Sequence, residues 1–408
     1  MGTRKSLGPG FRALYAGALV SNTGDGIRLA ALPLLAATLT TSPLLISTVT
    51  AAQYLPWLTF GPFGGALVDR WERRRTILTT QAWRGLVMAS LAVLVWTDHA
   101  EIWHACVVAF LITLGEILVD PSTVALVPTL VDDVDLERAN GRIASVEIVS
   151  NDFAGGPVGS ALFTFAPWLP FLIDGVSYLG SVLPFRQLPR QQRHAPPETA
   201  PTRTVRADAA DGFRWLRRNR LLGPFTMAQV IYYFGFAASY SLLVVFVTDE
   251  LDASAVGFGF VLATGAAGAL LGSLAGARIS SAIGTRATLA GSVALQGATL
   301  VAVAAAASLP LAAAIWFLNG IPAGAQRPVA RSMQQRLTPN HLLGRVNVTA
   351  RIFTRGTMVI GALVAGALAT ATSVRWSFIA GGITQLIAAS VMWTVLARLS
   401  AVDSTRAT

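Results

Sequence analysis

The sequence predicts an all-α membrane protein with twelve transmembrane helices in two pseudo-symmetric six-helix bundles. Three observations predict it. First, only 13% of the 408 residues are charged while 53% are hydrophobic, and the mean hydropathy is +0.57. A soluble domain carries about 25% charged residues, so this chain lacks the charge to cover an aqueous surface. Second, the apolar runs are as long as the roughly 20 residues a helix needs to cross a ~30 Å hydrocarbon core. A soluble α/β core breaks its apolar runs every ~5–8 residues. Third, the two halves of the chain repeat.

The spanning length places helices over 12–38, 43–67, 76–96, 102–128, 141–165 and 168–186, then 221–247, 255–280, 286–307, 309–330, 343–370 and 374–397. The chain thus divides into an N-terminal bundle (1–186), a connecting segment (187–220) and a C-terminal bundle (221–408). The connections alternate in charge. One set, near Thr40, 97–101, 166–168, 248–254, 308–310 and Arg375, is acidic or neutral apart from that arginine. The other set holds Arg4, Lys5, Arg70, Arg73, Arg74, Arg75, Arg138, Arg142, Arg278, Arg286, Arg331, Arg336, Arg345, Arg398, Arg406 and the basic 186–220 segment. Basic loops stay in the cytoplasm, so both termini are expected there, in a multi-pass protein of the cytoplasmic membrane. The net charge of +10 is read the same way, as basic flanks facing anionic lipid rather than nucleic acid.

The connecting segment starts as a Pro-, Thr- and Gln-rich linker. From Asp211 to Leu222 it sets Phe213, Trp215 and Leu216 against Arg214, Arg217, Arg218 and Arg220, which predicts a basic amphipathic helix on the inner membrane face. The lone Cys106 excludes an intrachain disulfide, and with one cysteine there is no thiolate metal site. No small-residue cleavage site follows a short apolar core near Met1, so a removed signal peptide is not expected.

The repeat is visible at two places. Residues 64–77 and 275–289 share a Gly-led basic turn, with Gly65 matching Gly276 at an offset of 211. Residues 141–152 and 344–355 both open with Gly-Arg, an offset of 203. Offsets near half the length indicate a parallel duplication, an architecture used by transporters.

The segment Gly65-Ala-Leu-Val-Asp69-Arg70-Trp-Glu72-Arg73-Arg74 resembles the motif that follows the second helix in the major facilitator superfamily, with Glu72 where that family usually has glycine. Residues 13–35, 118–142 and 337–346 resemble the branch of enterobactin exporters, macrolide efflux pumps and transmembrane secretion effectors. Gly155, Gly156, Pro157 and Gly159 resemble the Gly-Pro motif of facilitator antiporters. The resemblance implies the major facilitator fold, a gating role for Gly65, Asp69, Arg70, Arg73 and Arg74, and antiport. On physical grounds, Gly65 allows close helix approach and the arginines suit carboxylates or lipid phosphates, with orientation alone as the simpler role. Pro157 and its glycines predict a kink or a close contact with the 255–280 span, with or without a part in coupling.

Ionisable groups at membrane depth are costly and mark candidate sites. Asp25 and Arg28 are three apart on one helix face, Glu116 and Asp120 four apart, and Arg351 and Arg355 four apart. Glu147, Asn151 and Asp152 share the 141–165 span, and the 203 offset matches Asp152 to Arg355. Asp25, Glu116 and Asp152 are the candidates for proton coupling, with structural ion pairs such as Asp25 with Arg28 or Arg84 as the alternative. Asp174 is read as structural. Gln53, Tyr54, Trp57, Tyr232, Tyr233, Tyr240, Gln296 and Asn319 join Arg28, Glu147, Asn151, Arg351 and Arg355 as cavity candidates, against ordinary packing or an interfacial belt.

The expected function is proton-coupled export of a hydrophobic small molecule, such as a drug, siderophore or secondary metabolite. An importer or uncoupled facilitator is the alternative. No HExxH, GxSxG or GxxxxGK[ST] pattern occurs, so neither an enzyme nor an ATP-driven pump is expected. The expected partners are lipid, a small-molecule substrate and protons, with no cofactor, no metal and a monomeric state.

Overall fold

The computed structural model describes residues 7–61, 71–189, 205–339 and 342–406, with side chains left undescribed at 133, 137, 144, 147–148, 152–153, 205–210 and 398–406. The described residues form helices and turns, with no strand among them. They are α1 (Gly8–Leu39), α2 (Pro43–Thr59), α3 (Arg73–Trp96) and α4 (Ile102–Leu130). α5 runs through Leu136–Glu147, a π-helical turn at Ile148–Ala154 and Gly155–Phe165. α6 is Leu169–Phe185, α7 Val205–Arg218, and α8 starts as Leu222–Tyr240 and continues with breaks to Glu250. α9 (Ala255–Ala304), α10 (Leu309–Leu337), α11 (Leu343–Ala371) and α12 (Val374–Arg406) complete the order.

Local chemistry sets the helix starts. Ser42 accepts a hydrogen bond from the Leu45 amide at 3.5 Å, and Pro43 occupies the first turn of α2, where its missing N–H costs nothing. At α4 the Glu101 amide donates to His104 Nδ1 at 3.0 Å while the Glu101 side chain accepts from the His104 backbone, a reciprocal cap. Ser254 caps α9. The predicted spans 255–280 and 286–307 meet inside α9, where Gly284 breaks the helix at φ 83° and ψ 156°. An L-residue resists that conformation. Gly284→Ala is therefore expected to lower stability by about 1–3 kcal/mol, read as a lower melting midpoint in detergent. An unchanged midpoint would show that the break is not fixed by glycine.

Among the described residues six helical stretches are long and apolar enough to cross a membrane: α3, α4, Leu222–Glu250, α9, α11 and Val374–Ala397. α6 is apolar but shorter. Elsewhere polar residues interrupt the apolar character, notably Asn22, Asp25 and Arg28 in α1 and Arg327, Arg331 and Arg336 in α10. Large apolar side chains cover the outer surface, with Phe165 85% and Leu274 70% exposed, as helices solvated by lipid require.

The helices gather in two compact units. One holds α1 up to Leu35 with α3–α6, and the other holds the rest of α1, α2 and α7–α12. The first is centred on Phe11, Leu14, Ile77, Leu126 and Phe185, and the second on Leu222, Phe225, Val293, Met333 and Met392. α2 joins the second unit because its start lies against α11: the Leu44 amide donates to Thr370 Oγ1 at 3.2 Å, and Gly366 leaves room for Leu44 and Ser47. α9 and α10 approach even more closely. Gly268 and Gly272 face the backbone of Phe317 and Ile321, while Gly320 and Gly324 face that of Gly265 and Ala269.

The linker helix departs from the prediction in its limits. α7 begins at Val205 and ends at Arg218, because Asn219 turns its side chain to accept from the Leu221 and Leu222 amides at 3.0 and 2.8 Å and so starts α8. Its apolar face is docked on protein. Leu216 is buried in the second core, Gly212 lies against Arg345 and Thr349, and Asp211 pairs with Arg345 at 3.6 Å.

Candidate functional site

Four helices of the first unit bring a charged cluster together. Arg28 on α1 projects its guanidinium inward, where Nη2 donates to Asp25 Oδ1 at 3.0 Å and to Glu116 Oε1 at 3.1 Å. Its Nε lies 3.4 Å from Asp174 Oδ2 on α6, an ion pair without hydrogen-bond geometry. Arg84 on α3 donates through Nη2 to the same Asp25 oxygen at 3.1 Å and to Tyr178 Oη at 2.7 Å, and through Nη1 to Gln81 Oε1 at 3.1 Å. Tyr178 Oη in turn donates to Asp25 Oδ1 at 2.5 Å. Gln81 is held by Ser181 Oγ at 3.2 Å.

The i, i+3 spacing of Asp25 and Arg28 and the i, i+4 spacing of Asp174 and Tyr178 set each pair on one face of its helix. Gly24 and Gly115 allow the close fit, since a Cβ at Gly24 would overlap Asp174 and Ser177, and one at Gly115 would press on Arg84. Burial is graded: the Asp174 side chain is 0% exposed, Asp25 14% and Glu116 30%. Glu116 is thus the cluster's opening to the outside. With all five groups ionised, three carboxylates face two guanidiniums, one negative charge in excess.

A second feature fixes α1 beside this cluster. Gly155 and Gly159 of α5 lie against the backbone of Gly26 and Ile27, and Gly26 lies against Ser150 and Gly155. Within its own unit the close partner of the Gly-Pro segment is α1. The contact forms because glycine meets glycine across the crossing. Pro157 stands two glycines after the π-helical turn at Ile148–Ala154 and has no N–H for the carbonyl four residues back. Asn151 bonds from Nδ2 to Asn22 Oδ1 at 3.3 Å. The side chains of Glu147 and Asp152 lie outside the described residues.

In the second unit the predicted polar and aromatic residues form two separate groups. Tyr232 donates to Gln296 Oε1 at 2.8 Å, Gln296 donates to Gln326 Oε1 at 3.1 Å, and Asn319 donates to Thr299 Oγ1 at 2.7 Å. Tyr232 and Gln296 are buried, so this network ties helices together as membrane bundles do. Tyr233 packs edge-on against Tyr232, and Tyr240 stacks on Phe236. The other group joins α2 to α11: the Arg351 guanidinium stands over Trp57 at 5.5 Å and that of Arg355 over Tyr54 at 5.4 Å. Gln53 is half-buried on α2. Among the described residues no three metal-ligating side chains gather as a metal site.

Residues 8–407 match the family described as transmembrane secretion effectors. The chain belongs to that family. Secretion effectors are major facilitator transporters and not enzymes, and this member is a multi-pass membrane protein. It is 26% identical over 408 residues to the multidrug efflux pump Tap of Mycolicibacterium fortuitum, covering 98% of each chain. It is 21% identical to macrolide efflux protein A of Streptococcus pyogenes over 71% of each chain. Two solved structures share its fold. The nucleoside transporter NupG superposes with a TM-score of 0.77 at 10% identity, covering 94% of this chain and 99% of that one. An inward-facing bacterial homologue of the iron transporter ferroportin gives 0.74 at 16% identity, covering 94% and 98%.

In this secretion-effector chain Gly65, Asp69 and Arg70 of the gating motif lie outside the described residues. Arg73 and Arg74 lie within them. Arg73 Nη1 donates to the Ala125 carbonyl at 3.2 Å and Arg74 Nη2 to the Arg186 carbonyl at 2.7 Å, tying the start of α3 to α4 and to the end of α6. Sequence reading identified Asp25, Arg28 and Glu116 and named Arg84 as a partner. It missed Tyr178 and Gln81 and set Asp174 apart. The i, i+4 spacing of Asp174 and Tyr178 was the signal available for Tyr178.

Proposed function

We propose that this transporter exports a hydrophobic small molecule, such as a drug, siderophore or secondary metabolite, in exchange for protons, by alternating access across the cytoplasmic membrane. The reading includes twelve spans in two repeated halves, cytoplasmic termini and a monomeric state. The observation that carries it is the odd charge of the buried Asp25–Arg28–Arg84–Glu116–Asp174 cluster. One proton neutralises it, and Glu116 gives that proton a way in and out. A carrier that is neutral when protonated and charged when not has two states of different cost in lipid, which is what an exchange cycle needs. The efflux relatives support the outward direction.

The driving force is adequate. A proton moving inward through 100 mV releases about 2.3 kcal/mol, and a tenfold gradient adds about 1.4 kcal/mol. Expression in a susceptible bacterial host should raise resistance to several amphipathic antibiotics and lower their accumulation, with the difference erased by a protonophore. Unchanged susceptibility across such a panel, or higher accumulation of a nutrient instead, contradicts export and favours the import alternative.

A further inference from the structure

We infer that Arg351 and Arg355, seated on Trp57 and Tyr54, form a binding site for a planar aromatic anion, so that the exported molecules include aromatic acids. The inference rests on the export reading and names a substrate class for it. The two arginines are one helical turn apart on α11, about 12 and 18 Å from its start at 1.5 Å per residue, well inside a helix long and apolar enough to cross the bilayer. A charge at that depth is expensive without a counter-charge. The carboxylates of this unit with described side chains are elsewhere: Asp211 in the linker helix, and Asp249, Glu250 and Asp252 at the α8–α9 turn. Among the described residues none pairs with Arg351 or Arg355. Among the described residues, the side-chain hydrogen bond of Arg355 goes to the Met358 sulfur, at 3.8 Å.

What these arginines have instead is aromatic support. Trp57 and Tyr54, three apart on α2, meet the two guanidiniums as two rungs at 5.5 and 5.4 Å, within cation–π range. Close packing fixes the spacing, since Gly356 lies against Leu58 and Gly61 against Ile352. A cation–π contact uses the face of a guanidinium and leaves its N–H edges to bind. Those edges match the oxygens of a carboxylate, sulfonate or phosphate in bidentate fashion, and the rings offer a stacking wall to an aromatic body. The buried cluster of the other unit shows the contrast: there each guanidinium meets carboxylates.

The test uses two xanthene dyes of similar shape and opposite charge, fluorescein as anion and rhodamine 123 as cation. Binding to the purified full-length protein is read by fluorescence polarisation, and transport in phosphatidylcholine proteoliposomes. Wild type should bind and move fluorescein. Arg351→Gln and Arg355→Gln should each weaken its binding by about tenfold or more, the loss of one charge-assisted contact, with Arg355→Lys keeping part of it. Melting midpoints should not fall in these variants, because Arg351 is exposed and Arg355 half-buried, and neither loses a carboxylate partner among the described residues. Fluorescein binding unchanged in both Gln variants overturns the inference. Movement of rhodamine 123 without fluorescein overturns it while leaving export intact, and failure of both dyes to move counts against both readings. Phosphatidylglycerol displacing fluorescein from wild type in detergent would assign the pair to lipid phosphate and likewise overturn the inference.

Discussion

Asp25→Asn is expected to abolish proton-driven transport, with accumulation against a gradient falling at least tenfold, while the protein stays folded. Asparagine keeps the size of the side chain and removes one carboxylate. Glu116 and Asp174 then balance Arg28 and Arg84, so the cluster is neutral without taking up a proton. A carrier fixed in that state exchanges substrate downhill but gains nothing from the gradient. Arg84→Gln is expected to act in the opposite sense. It leaves three carboxylates facing one guanidinium in a site where Arg84 is 3% exposed, and removing one partner from a buried ion pair costs about 3–5 kcal/mol. A sharply lower melting midpoint in Arg84→Gln beside a near-normal one in Asp25→Asn is the expected pair of results. Equal midpoints, or full coupled transport in Asp25→Asn, would remove the cluster from the mechanism.

Leucine at Gly155 or Gly272 is the second large effect. Both glycines lie against neighbouring backbone, Gly155 against Gly26 of α1 and Gly272 against Ile321 of α10, and backbone cannot rotate aside as a side chain can. Overpacking of this kind costs about 1–3 kcal/mol where side chains yield, and more where they do not. The expected outcome is loss of folded monodisperse protein in detergent for both variants. Gly291 and Gly344 have nothing within 4 Å of an added Cβ, so alanine there should leave the melting midpoint within about 0.5 kcal/mol of wild type. Similar behaviour in both sets would contradict glycine-mediated helix contact as the basis of the packing.

Most helix positions were legible because bilayer thickness sets a length and lipid sets a composition, and both are written in the chain. The α3 and α4 limits illustrate it: predicted 76–96 and 102–128, observed Arg73–Trp96 and Ile102–Leu130. The breaks were less legible. Gly284 announces itself only through a positive φ, and Asn219 divides α7 from α8 by accepting from the Leu221 and Leu222 amides, a hydrogen bond that a hydrophobic pattern does not contain. The site was legible one helix at a time. Intramembrane charge flagged Asp25, Arg28 and Glu116, since each costs too much to be idle. Which helices share a cluster depends on helix rotation and crossing, set by contacts such as Gly26 on Gly155. Asp174 looked solitary for that reason, although it pairs with Arg28 at 3.4 Å. The same limit hid the aromatic support of Arg351 and Arg355, whose partners lie on α2, almost 300 residues away in sequence.

Proton movement across proteoliposomes tests the central claim most directly. A pH-sensitive dye is trapped inside, an inside-acidic gradient is imposed, and a transported drug is added to protein-containing and empty vesicles. The account predicts drug-dependent alkalinisation of the lumen by wild type, protons leaving as drug enters, and none by Asp25→Asn. Drug flux that proceeds at the same rate with and without the gradient, and with no proton movement, would contradict it.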